Sequence, residues 1–552
     1  MATKTLAVLN VDELKDGQMK EVDFGDGKVL LSRLGENIHA TSAFCTHYGA
    51  PLAKGVLASD GRVVCPWHGA CFNVCTGDIE DAPALDAIHS FKTHVEDGRI
   101  HVTADPTRTR KENKARPPTL QADGAEAPGK GIVIVGGGSG AIHTVESLRE
   151  NGYKGSITIL SAERYAPIDR TKLSKALITD ASKLEWRTPS DLKIKYGTNL
   201  RTGVNVTKVD PSQKSVTMDS KEMIFYDKLV LAPGGTPRRL PIPGVDLKNV
   251  FVLRNVDHAK LIDEAAKEGK KVVVIGSSFI SMELVAALSK RKLASINVIG
   301  MESVPFELVL GKEIGGGLMK YHESQGVVFH MQSSVAKIIP SMSDPEAAGS
   351  VEIGNGGPTL DADFVIMGVG VAPATGFLRD SGFTLEKDGG VKVDEFLRVS
   401  ELQDVYAIGD IAHYPQPQSG GHRRIEHWNV AGNHGRAVGR NIAGTPMPFE
   451  KVPVFWSAQG QQLRYAGLGY KYDEVHIEGN PAELKFVAYY IEGGKVVAIA
   501  SMQSDPIAIK VSELLRLGMM PSAEDIKGGK VNAMNVDMSS IQSKAQVSGV
   551  KE

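Results

Sequence analysis

Four residues within the first seventy stand in close Cys-His pairs of the kind that binds metal: Cys45 and His47, then Cys65 and His68, with seventeen residues between His47 and Cys65. Each half pairs a soft thiolate with a borderline imidazole. Two of each can hold a tetrahedral zinc, or a diiron cluster with cysteines on one iron and histidines on the other. Zinc-finger spacing puts both cysteines before both histidines. Here each short loop supplies one of each, so two loops could clasp a two-iron unit from opposite sides.

A second kind of chemistry is written in glycines. The stretch GIVIVGGGSGAIHTVESLRE from Gly131 reads as strand, turn and helix, and Gly136, Gly138 and Ala141 fit G-x-G-x-x-G/A within it. The first glycine allows the tight turn, the second lets backbone approach a pyrophosphate, and the small third residue lets helix pack on strand. The next strand, 156–160, ends near Glu163, where the acidic partner of a ribose hydroxyl belongs; a solvated loop charge is the alternative. A second unit, KKVVVIGSSFISMELVAALSK, carries Gly276-x-Ser278-x-x-Ser281, with serines where glycines are expected. A serine side chain takes up space the pyrophosphate needs, which weakens the nucleotide reading without removing it. The strand 295–299 leads to Glu302 with no arginine just beyond, which favours NAD(H) over NADP(H). Strands in 227–238, 363–375 (with Gly368, Gly370 and Pro373) and 404–415 (ending at Gly409-Asp410) run into turns that complete the two units.

The elements that would position these groups follow in order. Residues 1–102 alternate short strands with turns at Gly17, Gly25–Gly27, Gly61, Gly77 and Gly98, a small all-β domain whose loops carry the four ligands. Residues 103–130 are charged, rich in Pro, Ala and Gly, and cannot bury a core. As a flexible coil this linker would reach about 30 Å. The tail from Asp525 to Glu552 is polar and reads as disordered.

Composition narrows the function classes. A chain of 552 residues should hold three or four domains. A net charge of -2 argues against a nucleic-acid partner. The apolar runs are strand-length, well short of the roughly 20 residues of a membrane span. The start, MATKTLAVLNVDELKDG, lacks arginine and runs at once into strand-like sequence, so neither a signal peptide nor a clear presequence is expected and the location expected is cytoplasmic. All cysteines lie between Cys45 and Cys75, and Cys71 and Cys75 read as reduced, small buried hydrophobes near the site.

The strings CTHYGAPL and CPWHGACF resemble the Rieske [2Fe-2S] signature. High-potential Rieske proteins carry an extra cysteine in each cluster loop; Ala50 and Trp67 occupy those places here, so the resemblance is to the soluble, ferredoxin-like type. From Gly131 onward the chain resembles FAD-dependent pyridine-nucleotide reductases of the ferredoxin-reductase branch, and as a whole the apoptosis-inducing-factor-like proteins of the member 3 type. The resemblance implies a multidomain chain. An all-β Rieske domain precedes an α/β reductase with two Rossmann units, FAD-binding in 131–270 and 371–445 and NAD(H)-binding in 271–370, and a C-terminal α+β interface domain in 446–552. It implies that Arg170, in the Tyr165–Lys175 motif Y-x-x-x-D-R-x-x-L-S-K, meets the FAD phosphates and that Lys175 is the catalytic side chain near flavin N5. Val206 would contact adenine, Arg254 the cofactor, Asp410 beside Gly409 the ribityl hydroxyls, and Trp428 and Trp456 the isoalloxazine, although two tryptophans read equally well as core aromatics. The turn Ala232-Pro-Gly-Gly235 departs from the usual A-T-G-G and lacks its hydroxyl. A homodimer and a mitochondrial association are further implications of the family.

NADH gives up two electrons as hydride and an iron-sulfur cluster accepts one, so flavin is the expected converter. The expected function is an NADH-dependent flavoprotein reductase passing electrons through its own [2Fe-2S] cluster to an unidentified acceptor. With no thiol after Cys75, disulfide reduction is excluded, and no terminal-oxygenase iron domain follows the linker. Two alternatives accompany this reading: a redox-sensing, cell-death-type interaction protein with incidental turnover, and a degenerate reductase that holds FAD but reacts poorly.

Overall fold

A computed structural model describes residues 3–111, 130–402, 404–417 and 420–538. The first domain is built from two antiparallel sheets. Six strands are ordered Lys4–Asn10, Arg99–Ala104, Ser90–Glu96, Asn37–Ser42, Gly27–Leu34 and Met19–Phe24. A smaller sheet, Val56–Leu57, Arg62–Val64, Cys71–Asn73 and Ile79–Asp81, carries the second ligand loop. Period-two alternation divides the packing: Val29 and Leu31 join Phe24, Ile100 and Val102 in one core, while Leu30 faces the other with Val63 and Phe72.

This domain continues past residue 102. Strand Arg99–Ala104 pairs Ala104 with Lys4, and a 3-10 turn, Pro106–Thr109, follows with the Asp105 side chain accepting from the Thr107 N–H. Thr109 is buried over Gly27, where a Cβ would stand 2.1 Å from the Thr109 hydroxyl. The first part of the expected linker is therefore folded, because a strand partner and a glycine-sized gap outweigh its polar composition. Residues 112–129 of that linker lie outside the described residues.

The first α/β unit is a five-stranded parallel sheet in the order Thr198–Thr202, Ile157–Ser161, Ile132–Val135, Lys228–Leu231 and Val405–Ala407. Its helix Ser139–Glu150 packs on helix Trp428–Ile442 so closely that a Cβ on Gly435 would meet the Gly140 carbonyl at 2.4 Å. The second sheet runs Val250–Phe251, Phe364–Met367, Lys271–Ile275, Ser295–Ile299 and Val327–His330. Its first strand and the helix Val256–Ala265 precede residue 271, so this unit begins earlier than expected. Strands Gly235–Pro237 and Val371–Pro373 pair where the chain crosses between units.

The last domain is a five-stranded antiparallel sheet spanning Val454–Gln459 to Lys495–Met502, backed by helix Ile507–Arg516. The tail corrects its expectation as far as residue 538. Helix Ala523–Lys527 forms, and Ala533 and Met538 are buried in the same apolar cluster as Ile507 and Val511; residues 539–552 lie outside the described set. No helix among the described residues is long and apolar enough to cross a membrane.

Two histidines in the helix pair tie stability to pH. His143 and His434 are fully buried, and burial pushes each to about 3. His434 Nδ1 accepts the Gly409 N–H at 3.1 Å. The unfolded chain takes up a proton on each near pH 6.5 and the folded chain does not, so their stabilisation is complete above that pH and is lost as pH falls toward 3. The expected slope is about 1.4 kcal/mol per pH unit for each group. Urea unfolding between pH 6.5 and 4.5 checks this. His434→Gln should lessen the slope by one such increment, and an unchanged slope would refute the assignment.

Candidate functional site

The two ligand loops share one backbone design. In Cys45–Ala50 and in Cys65–Ala70 the cysteine N–H donates to the alanine carbonyl at 2.8 Å, and the glycine N–H returns to the cysteine carbonyl at 2.9 and 3.2 Å. Gly49 and Gly69 close the loops at φ +75° and +73°, a conformation that favours glycine. The N–H groups of His47 and Tyr48 point at the Cys45 sulfur, and those of Trp67 and His68 at the Cys65 sulfur. Burial disfavours charge on both thiols, but donation from Cys45 and these amides brings Cys65 below its ordinary value, as a thiolate ligand requires. The two imidazoles turn Nδ1 toward Nδ1 at 3.1 Å, and burial, then Lys172, pushes His47 down to about 3. Burial and then the neighbouring Cys65 hold the Cys45 thiol well above its ordinary value; neutral imidazoles and two amide-facing sulfurs suit a metal site. Both sulfurs are enclosed within the domain and both rings lie at its border, a division that fits a [2Fe-2S] cluster. His47 Nε2 is buried without a hydrogen-bond partner.

Of the remaining cysteines, Cys71 is a buried apolar residue as expected, packed with Val454 and Ile509. Cys75 differs: it is exposed, with its sulfur 3.6 Å from His39 Nε2.

Instead of facing solvent, the ligand histidines are covered by the first α/β unit and the C-terminal sheet. The His68 ring lies 4.4 Å from that of Trp456, and the His47 ring 5.6 Å from that of Trp186. Trp186 in turn lies 5.8 Å from Trp428. Around these rings the Tyr48 hydroxyl donates to Asp169, the Ala82 N–H donates to Asn433 at 2.9 Å, and Arg436 donates to the Ile79 carbonyl at 2.7 Å. Arg187 pairs with Asp86 and Lys451 with Asp81, each at 2.7 Å, and Arg464 donates to the Trp67 carbonyl at 2.9 Å. Burial would raise the Asp81 carboxyl, yet Arg62 and Lys451 hold it well below the usual carboxylate range.

Behind Trp456 and Trp428 opens a cavity of about 890 Å³ between the α/β units and the C-terminal sheet. Gly136 and Gly138 line one end. Gly136 has φ +114°, and a Cβ there would stand 2.0 Å from the Ala232 carbonyl oxygen, whereas a Cβ on Gly138 would meet only open space. Helix Ser139–Glu150 starts behind Gly138 and aims its free N–H groups at this end, as a pyrophosphate needs. Ala141 is buried inside the helix and serves packing alone. We expect Gly136→Ala to combine overpacking of about 1–3 kcal/mol with strain of similar size. The purified variant should show little absorbance in the flavin band; full retention would contradict this account.

Glu163 and Arg170 also line the cavity, but they hold one another in a bidentate pair at 2.8 and 2.7 Å, and Arg170 donates further to the Arg254 carbonyl. The carboxylate expected at a ribose and the guanidinium expected at the phosphates thus line the cavity as partners of one another. Val206 and Gly409 contribute to the wall, and Arg254 pairs with Asp410 at 2.6 Å. Lys175 reaches Glu283 at 3.0 Å. Glu283 escaped the sequence reading. It is 4% exposed and accepts from Ser457 at 2.7 Å, from the Ala458 N–H at 3.3 Å and from Ser174. Its signal was a lone carboxylate in the apolar helix Phe279–Leu288, a position that demands a partner. Trp186 was missed too, for want of any local pattern.

The second glycine turn stands outside this cavity's lining, although Phe279, Ile280 and Glu283 of its helix reach in. Gly276 has φ +100° and a Cβ there would clash with the Gly368 carbonyl at 2.3 Å. Ser281 turns inward and donates to that carbonyl at 3.3 Å, while Ser278 is exposed at the helix start. Ser281 therefore serves the packing of helix on strand, and it is the exposed Ser278 side chain that stands where a pyrophosphate would approach. Glu302 accepts from Ser277 at 3.2 Å, and Gly370 turns the chain at φ +91°.

The pyridine nucleotide-disulphide oxidoreductase family matches residues 130–435, the Rieske [2Fe-2S] domain residues 4–92 and the reductase C-terminal domain residues 454–533. Human apoptosis-inducing factor 3 is 37% identical over 537 residues, 97% of this chain and 87% of that one. Rhodocoxin reductase of Rhodococcus erythropolis is 32% identical over 67% of this chain and 86% of its own length. A solved ferredoxin reductase for the CYP199A2 system of Rhodopseudomonas palustris superposes with a TM-score of 0.69 at 27% identity, covering 73% of this chain and 99% of that one.

Proposed function

The chain belongs to the apoptosis-inducing factor 3 family, a Rieske domain joined to a pyridine-nucleotide reductase, and on that premise we propose that it carries electrons from NADH to its own cluster across a fixed internal interface. It is an NAD(P)H-dependent FAD oxidoreductase with a [2Fe-2S] cluster. When bound, the flavin and the cluster supply the exchange of a hydride pair for single electrons.

The observation that carries the proposal is the 4.4 Å contact between His68 and Trp456, because Trp456 also lines the large cavity. Cys45, His47, Cys65 and His68 would hold the cluster. Gly136, Gly138 and the helix start behind them would receive the FAD pyrophosphate. Val206 would face the adenine end, Arg254 and Asp410 the ribityl chain, and Trp428 with Trp456 the ring system. Lys175, fixed by Glu283, places a cation in a half-enclosed wall and favours negative charge developing beside it. Gly276, Ser278 and Gly370 would receive the nicotinamide nucleotide, with Glu302 selecting NADH over NADPH through its charge. The interface tryptophans exclude water between the two redox sites.

Anaerobic titration of the holoprotein with NADH tests this. Flavin bleaching should be accompanied by the EPR signal of a reduced Rieske cluster. Bleaching without that signal would sink the internal route. A larger response to NADPH than to NADH would sink the role of Glu302. The cluster releases electrons one at a time to an acceptor that no residue names, and a homodimer is carried forward for a mass measurement in solution.

A further inference from the structure

One trio of metal-type donors stands apart from the sites described above, on the six-stranded sheet of the first domain. His94 and Glu96 are two residues apart on strand Ser90–Glu96, so both project from one face. His101, on strand Arg99–Ala104, is the direct cross-strand partner of His94. Its neighbours Ile100 and Val102 are fully buried on the opposite face, which turns His101 outward. The two rings lie 4.9 Å apart and 21° from parallel, and His94 Nε2 is 3.8 Å from Glu96 Oε2. One donor atom from each of the three falls within 4.8 Å of the others.

The backbone holds this arrangement. The hairpin turns through Asp97 at φ +49° and Gly98 at φ +73°, a two-residue turn whose positive angles match the twist of the strands and fix the register. Both flanks are open. Beside His101 the adjoining strand offers only Ala7, and its ladder slips between Ala7 and Leu9. On the far side of His94, pairing with strand Asn37–Ser42 involves Phe91 and Ser90 and goes no further along. Lys92 and Arg99 share this face and oppose a dication, but exposed charges are screened by solvent and salt, so direct ligation outweighs them.

We infer that His94, Glu96 and His101 form a binding site for a borderline divalent transition ion of the zinc class. Two imidazoles and one carboxylate are ligands such an ion accepts, with its remaining positions left to water. Around zinc, ligand atoms at about 2.0–2.2 Å from the metal stand about 3.3 Å apart. The three donor atoms already lie within 4.8 Å, and closing them around an ion takes rotation of the exposed His94 and Glu96 side chains toward the half-buried His101. Hard ions such as calcium prefer all-oxygen sites and are not expected to bind. An ion here joins the two strands of one hairpin and binds the folded domain only, so it raises stability by mass action.

The test is calorimetric titration of tag-free holoprotein, with cluster and flavin in place, using zinc sulfate and then calcium chloride. The wild type should take up one more equivalent of zinc than His101→Ala, and Glu96→Gln should bind that equivalent about tenfold more weakly. Zinc should raise the melting temperature of the wild type and leave that of His101→Ala unchanged. Flavin and cluster absorbance, expected to be the same in all three proteins, reports intact folding. Equal zinc uptake and equal melting shifts in the wild type and His101→Ala would overturn the site, as would calcium binding the trio as well as zinc.

Discussion

Cys65→Ser protein should retain its flavin and bleach on addition of NADH, yet give no EPR signal of a reduced cluster and pass no electrons to an external one-electron carrier. The side chain is 1% exposed and the loop is closed by backbone bonds alone, from the Cys65 N–H to the Ala70 carbonyl at 2.8 Å and from Gly69 back to Cys65 at 3.2 Å. Serine fits that backbone, so the change is chemical: a hydroxyl replaces the soft ligand that iron-sulfur chemistry requires. The amides of Trp67 and His68 would be left aimed at a poor ligand. A surviving cluster signal would show that Cys65 is dispensable, and loss of NADH-driven bleaching would show that the two redox sites depend on one another for folding.

Lys175→Met is expected to slow flavin reduction by NADH about 100-fold, the size typical of a positioned charge in a site that excludes water. It should also destabilise the protein. Glu283 keeps its bonds from Ser174, Ser457 and the Ala458 N–H but loses the cation that balances its charge. Breaking a buried pair from one side costs about 3–5 kcal/mol. Because the Lys175 side chain is 21% exposed, about 2–3 kcal/mol is the appropriate expectation here. Glu283→Leu in the Lys175→Met background should restore part of the stability and none of the rate, since it removes the stranded charge without replacing the cation. Recovery of the rate in that double variant would reduce Lys175 to a structural role.

Part of the fold and of the site is legible in the sequence because its signals are local. Cys45-x-His47 and Cys65-x-x-His68, each with a glycine within two residues, declare loops and ligands together, and the Gly136 turn sits between an apolar strand and a helical pattern. The interface is not legible there. Asn433, Arg436 and Lys451 meet Ala82, Ile79 and Asp81 across more than three hundred residues, and none belongs to a pattern that marks it. Short elements escape for another reason: Val250–Phe251 has two residues, too few to show an alternation. Composition misleads at both ends of its use. The polar run after residue 102 is held by strand pairing and by Thr109 over Gly27, and the polar tail is anchored by Ala533 and Met538.

The covered histidines change the kinetics to be expected of this molecule. A reductase and a separate ferredoxin meet by diffusion, so their exchange slows on dilution and, where charge steers the encounter, responds to ionic strength. Here Tyr48, Ala82, Asp81 and Asp86 are already engaged with the reductase half of the same chain, and the His68 and Trp456 rings are in contact. Exchange between the two halves is then a first-order event, indifferent to protein concentration and nearly so to salt. The encounter that remains second order is the one with the electron acceptor.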